Sequence, residues 1–210
     1  MGEKYDDCYD LRPTPWWGGE RILRLRDPSG AGFPPDEYGM MRSWGAPGQT
    51  ALRRYLDRPA ATIAEMSSEV QTGIASAGSD AGAQLAAGRA AVERINAGYE
   101  AVSQQTAQSQ MTLQMLSRED TVPTGELADV ARSGARSVKQ AVTDHVGPLE
   151  NLIADVFGTT RDAALTSVGA QAEAAVNRVG ELAYTSTSGL YREVFRRGLA
   201  EVPDPGAANG

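Results

Sequence analysis

Cysteine and histidine are almost absent: Cys8 and His145 are the only ones in 210 residues. A single cysteine excludes an internal disulfide framework and a zinc finger. The chain has no phosphate-cradling glycine loop, no Gly-x-Ser-x-Gly elbow and no His-Glu-x-x-His pair, so the enzyme classes that carry those signatures are not expected. Bulky apolar side chains are scarce too, with three Phe and three Trp, and much of the 41% hydrophobic content is alanine. No apolar run approaches the roughly 18 residues of a membrane span. The opening Met1-Gly2-Glu3-Lys4-Tyr5-Asp6-Asp7 lacks the apolar segment of a secretory signal, and Asp6 breaks a myristoylation pattern. Positive charge is in deficit as well. Twenty Lys and Arg against 27 Asp and Glu leave a net charge of −7, which argues against a general nucleic-acid binder and leaves room only for incidental DNA contact. No cofactor is expected.

What the chain does contain changes character near Pro59. Ahead of it lie Pro13, Pro15, Pro28, Pro34, Pro35 and Pro47, all three tryptophans and with them most of the chain's aromatics. Prolines at that density exclude a continuous helix. Residues 1–58 therefore read as an extended arm with at most a short strand or hairpin. The strand candidate is 21–26, ending in the turn sequence Asp27-Pro28-Ser29-Gly30, and its arginines suit a sheet edge or a strand lying on another molecule. A short helix is expected over 48–57.

Beyond Pro59 no proline recurs until Pro123, and apolar residues return at three- and four-residue steps. Ile63, Val70, Ile74, Leu85, Val92, Ile95, Tyr99 and Val102 form the seam of a helix. The steps between Ala77 and Val92 run four, four, seven, a skip in a strict heptad. One long helix over 59–120 is expected, with Pro59 in its first turn. At ~1.5 Å per residue the stretch 60–118 would reach roughly 85–90 Å. Gly73, Gly78, Gly82, Gly88 and Gly98 each destabilise such a rod by up to ~1 kcal/mol relative to alanine. Packing against other helices must compensate, and small residues allow the close approach that does so. Self-association is therefore expected.

A second helical region is expected over 121–202, packed on or beside the rod. Its pieces are 125–145, a break at Gly147-Pro148, 149–157 capped by Gly158, and a last helix opened by a Thr159/Asp162 capping box. Residues 203–210, with Pro203 and Pro205, read as a disordered tail. The predicted class is mainly α, an elongated helical hairpin or coiled-coil-like bundle carrying a Pro/Trp-rich arm.

Four places invite a functional reading. Pro13-Thr14-Pro15-Trp16-Trp17-Gly18-Gly19 sets two tryptophans where a small local core cannot hide both. With Phe33 and Trp44 they are the candidate partner anchors, since aromatic side chains dominate protein interfaces; the bland alternative is that they cap the chain's own helices. Residues 101–117 carry no charge, so the outer face of that helix is either an ordinary Gln/Ser face or is itself covered. Asp6, Asp7 and Asp10 beside Cys8 read as a solvated acidic terminus, and His145 as a surface residue near a helix end. The stretch 190–199, with Arg192, Arg196 and Arg197, is a basic amphipathic end that suits helix packing, or contact with a phosphate or a partner.

Through Gln104-Gln105-Thr106-Ala107-Gln108-Ser109-Gln110-Met111 the Ala/Gln/Ser-rich helix resembles the internal proteins that short-tailed bacteriophages eject with their DNA. The proline- and tryptophan-rich arm resembles the arms by which phage structural subunits lace together. The resemblance implies a non-enzymatic virion component (internal, neck or tail) that forms a homo-oligomer and docks to other virion proteins, assembled in the host cytoplasm. Phasins, which coat polymer granules, are also Ala-rich amphipathic helical proteins, and they supply the alternative: a cytoplasmic granule coat or scaffold.

Overall fold

A computed structural model describes the backbone at 9–13, 21–25 and 35–200, and the side chains from 38 to 186. The elements are β1 (Tyr9–Pro13), β2 (Arg21–Leu25), α1 (Pro35–Ser43), α2 (Ala46–Ala77), α3 (Ala81–Leu116), α4 (Thr124–Ala141), a π turn (Val142–Val146), α5 (Gly147–Phe157) and α6 (Ala163–Ala200). The mainly α class is the one expected. β1 and β2 pair antiparallel, Tyr9 opposite Leu25 and Pro13 opposite Arg21, so the expected strand finds its partner within the chain.

The expected single rod is two helices. Gly78 ends α2 with φ +57, a left-handed conformation that glycine adopts without penalty. Asp80 then caps α3, its Oδ1 accepting from Ala83 N at 2.7 Å. The two helices fold back antiparallel: Tyr55 reaches Gln108, Thr62 reaches Gln105 and Glu69 pairs with Arg94. The skipped heptad between Ala77 and Val92 is this turn. The other expected boundaries move as well. α2 starts at Ala46 and runs straight through Pro59, a buried residue, so Pro59 is mid-helix and the separate helix over 48–57 does not exist. Residues 35–58, assigned to the arm, are mostly helical and belong to the folded body.

Gly147-Pro148 does not break the chain either. Proline has no N–H for the carbonyl four residues back and its ring crowds that carbonyl. Here the helix widens for one turn instead, Gly147 N donating to Val142 O, and continues into α5. A wide turn leaves the ladder irregular, and a side chain from across the bundle meets it: Ser67 Oγ donates to the His145 carbonyl at 3.0 Å and accepts from Gln71 Nε2 at 3.0 Å. The start of α6 is capped by Asp162, whose Oδ1 accepts from Ala164 N at 2.8 Å. Thr159 donates to the Asp155 carbonyl instead of serving as the expected cap.

Four rods result: α2, α3, the α4–α5 rod and α6. α3 lies against α2 and α6, and α4 lies against α2 and α6. Leu56 sits on Gly134 and Ser67 on the His145 carbonyl, so α2 and the α4–α5 rod run the same way. Val168 meets Gly88 and Arg178 meets Asn96, so α3 and α6 also run the same way. Two αα-hairpins are thus layered in the same sense, an arrangement familiar from stacked helix pairs.

Two of the five rod glycines, Gly88 and Gly98, find cover inside the chain, while a Cβ on Gly73 or Gly78 would meet nothing. A Cβ on Gly88 would lie 2.4 Å from Val168 Cγ1 and 3.1 Å from Phe157, and one on Gly169 would lie 2.4 Å from Phe157 Cβ. Two glycines thus grip one buried phenyl ring. Part of the compensation expected from other copies of the rod therefore comes from within the chain. The seam residues serve the same intramolecular core. Ile63, Val70, Ile74, Ile95 and Val102 are buried, and Leu85, Val92 and Tyr99 pack partly buried against them. A second cluster at the opposite end gathers Met41, Leu52, Leu56, Leu113, Leu116 and Leu127.

Candidate docking foot of the bundle

The second cluster marks one pole, here called the foot, where α1, the start of α2, the end of α3 and the start of α4 meet. It is also where the aromatic arm enters the body. α1 ends at Ser43. Pro47 stands in the first turn of α2, where its missing N–H costs nothing. The chain turns through Trp44, whose φ of +42 is the only positive value at a non-glycine among the described residues. A bulky residue held there stores about 1–3 kcal/mol of strain, which the surroundings must offset.

They do so with hydrogen bonds to carboxylates. Trp44 Nε1 donates to Glu126 Oε2 at 2.8 Å, and Gln49 Nε2 donates to the same oxygen at 2.8 Å. Glu126 lies in the first turn of α4, where the helix dipole favours a negative charge. Arg42 Nε donates to Glu119 Oε2 at 2.7 Å, with both side chains about a quarter exposed (30% and 23%). Thr121 Oγ1 donates to the Arg42 carbonyl at 2.7 Å. Tyr38 packs beside this pair. Burial, reinforced by the neighbouring Glu119 charge, pushes its phenol up to about 12. Met41 is an apolar anchor, fully buried in the second cluster.

Behind the foot the uncharged stretch of α3 is covered: from Gln108 to Ser117 no residue is exposed. Its polar groups are satisfied locally. Tyr55 OH donates to Gln108 Oε1 at 3.2 Å, Ser109 Oγ to the Gln105 carbonyl at 2.8 Å and Ser117 Oγ to the Gln114 carbonyl at 2.9 Å. Thr112 Oγ1 is the one buried side-chain oxygen among the described residues with no partner. The covered reading of 101–117 therefore holds at its C-terminal half, and the cover includes the chain's own α2.

Of the four candidate anchors, Trp44 is described. It is half-buried, packed on the second cluster and bonded to Glu126, engaged with its own chain. Trp16, Trp17 and Phe33 lie outside the described residues, as do Asp6, Asp7, Cys8 and the expected tail at 203–210. For Asp10 and for 190–199 the backbone is placed in β1 and α6, and their side chains fall outside the description. His145, expected on the surface near a helix end, is half-buried inside the π turn of a continuing helix. Sequence reasoning missed Arg42, Glu119, Thr121 and Glu126. One faint signal was available: Pro123-Thr124-Gly125-Glu126 puts an acid in a helix's first turn.

Among the described residues no helix is long and apolar enough to cross a membrane. Among them, too, no three His, Cys, Asp or Glu side chains come together to hold a metal ion. The large exposed hydrophobics among the described residues are Met40, on α1, and Tyr184, on α6. No protein family, no curated protein and no solved structure matches the chain.

Proposed function

We propose that this chain is a non-enzymatic assembly protein, a structural component of a tailed-phage particle that docks to neighbouring subunits through its N-terminal arm and self-associates. The observation that carries this reading is the foot. α1 is seated on the body through Arg42–Glu119, Thr121–Arg42 and Trp44–Glu126, so the 34 residues ahead of it spring from an ordered root. A rooted arm bearing Trp16, Trp17 and Phe33 suits lacing between subunits, because ordering its base in advance lowers the entropy lost on docking. The granule-coat alternative needs a broad apolar outer face. The bundle turns its apolar residues inward and exposes few large ones, which favours the docking reading.

The test is incorporation. Particles purified from producing cells should contain the protein by mass spectrometry. The double variant Trp16→Ala/Trp17→Ala should be depleted from them by at least about tenfold, since a truncated interface tryptophan typically loses about 2 kcal/mol or more. Particles that form, infect and contain none of this chain would refute the proposal.

A further inference from the structure

The geometry points to exchange of α1 between copies of this chain: α1 can leave its own seat by pivoting at Trp44–Gly45 and occupy the same seat on a second copy. This goes beyond the assembly reading and does not depend on it. Three observations converge. The link between α1 and α2 is two residues long, and one of them is a tryptophan held at φ +42. Short hinges under strain invite exchange, because the open form relaxes the hinge and every seat contact is recovered on a partner.

α1 is held largely by bonds near the surface. Arg42–Glu119, Thr121 to the Arg42 carbonyl and Trp44–Glu126 all lie at partly or fully exposed side chains, and its apolar anchors among the described residues are two, the fully buried Met41 and the partly buried Tyr38. An element with few buried apolar contacts and solvent-facing hydrogen bonds opens well before the fold as a whole. The seat, by contrast, is permanent: Leu52, Leu56, Leu116 and Leu127 belong to helices that stay packed when α1 lifts. Once open, it presents an apolar hollow flanked by the carboxylates of Glu119 and Glu126. Its best occupant is a segment with Met41 between Arg42 and the Trp44 indole, which a second copy supplies.

The test uses two full-length chains in a Cys8→Ser background, one carrying Arg42→Cys and the other Glu119→Cys, so that neither can link to itself. After incubation as a concentrated mixture, a short bis-maleimide should join them. The pair Arg42→Cys with Ser79→Cys, which sits at the far pole, should give none. Equal linking in the two mixtures, or none in either, overturns the exchange. The strain is tested separately by Trp44→Asn and Trp44→Phe in the Arg42→Cys chain. Both lose the bond to Glu126, and asparagine alone is at ease at positive φ. Linking should fall several-fold in Trp44→Asn relative to Trp44→Phe, and equal yields would remove the hinge from the account. The unmodified chain gives an independent readout: light and isotope-labelled copies should form mixed dimers by native mass spectrometry, and monomer at every concentration is the contrary result.

Discussion

The two poles of the bundle close in different ways. At the tip, apolar packing does the work: Phe157 lies buried between Gly88 and Gly169, with Val168 against it. At the foot, a short helix is tied across the rods by an indole, a guanidinium and a hydroxyl, two of them bonded to carboxylates at the surface. Tight packing tolerates no movement, because interiors are as dense as organic crystals. Surface bonds break and reform, since each contributes little against water. One end of the molecule is thus built to stay shut and the other to be undone.

The contrast can be broken most forcefully at the tip. Phe157→Ala should destabilise the fold by about 3–5 kcal/mol in urea unfolding, because two glycines cannot collapse into the vacated volume. A loss under about 1 kcal/mol would mean that the tip is loosely packed and that the contrast fails. At the foot, alkali should act through Tyr38. Its phenol is raised to about 12 in the fold against an ordinary 10, so the neutral form is favoured there. The resulting stability is complete below pH 10 and is lost as pH climbs toward 12. At about 1.36 kcal/mol per pH unit, discounted for partial exposure, it amounts to roughly 1–2 kcal/mol. Tyr38→Phe should flatten this alkaline limb in urea midpoints taken between those two values.

Glu126→Ala should reduce global stability by only about 1 kcal/mol while speeding hydrogen exchange in α1 far more than in α3. Uniform acceleration along the chain would show that α1 is not a separate unit. The smallest effect belongs midway along the bundle. The Arg94 guanidinium bonded to Glu69 holds that exposed carboxyl below its usual range. A depressed acid contributes stability above its unfolded value and loses it as pH falls through the folded one. Glu69→Gln should therefore lower neutral stability slightly and make the acid limb of the stability profile a little shallower, as read by thermal midpoints.

The helices themselves could be read in advance. Ile63, Val70, Ile74, Ile95 and Val102 announced a buried stripe by spacing alone, and they are buried. What spacing conceals is where a rod folds back. Gly78-Ser79-Asp80 carries the break and the cap, but alanines on both sides keep the helical period running, so the turn showed only as a skipped heptad. Prolines misled in both directions. Pro59 looked like a helix start and lies mid-helix, while Pro148 looked like a stop and is absorbed by one wide turn. In each case tertiary packing outweighs a local preference of about 3 kcal/mol. The foot was hidden for a different reason. Arg42 finds Glu119, and Trp44 finds Glu126, only after two long helices have been laid down between them. Spacing could not tell which glycines are covered from within: Val168 and Phe157 cover Gly88 and Met66 covers Gly98, while Gly73 and Gly78 face open space.

The same-sense layering also sorts the molecule's landmarks. Both hairpin bends, 78–80 and 158–162, emerge together at one extremity, while α1 joins the body, and α6 descends, at the other. α2 alone measures about 48 Å at ~1.5 Å per residue. A fluorophore or affinity label spliced at Ser79 would thus report from the far side of the molecule, clear of anything the chain's own beginning holds on to.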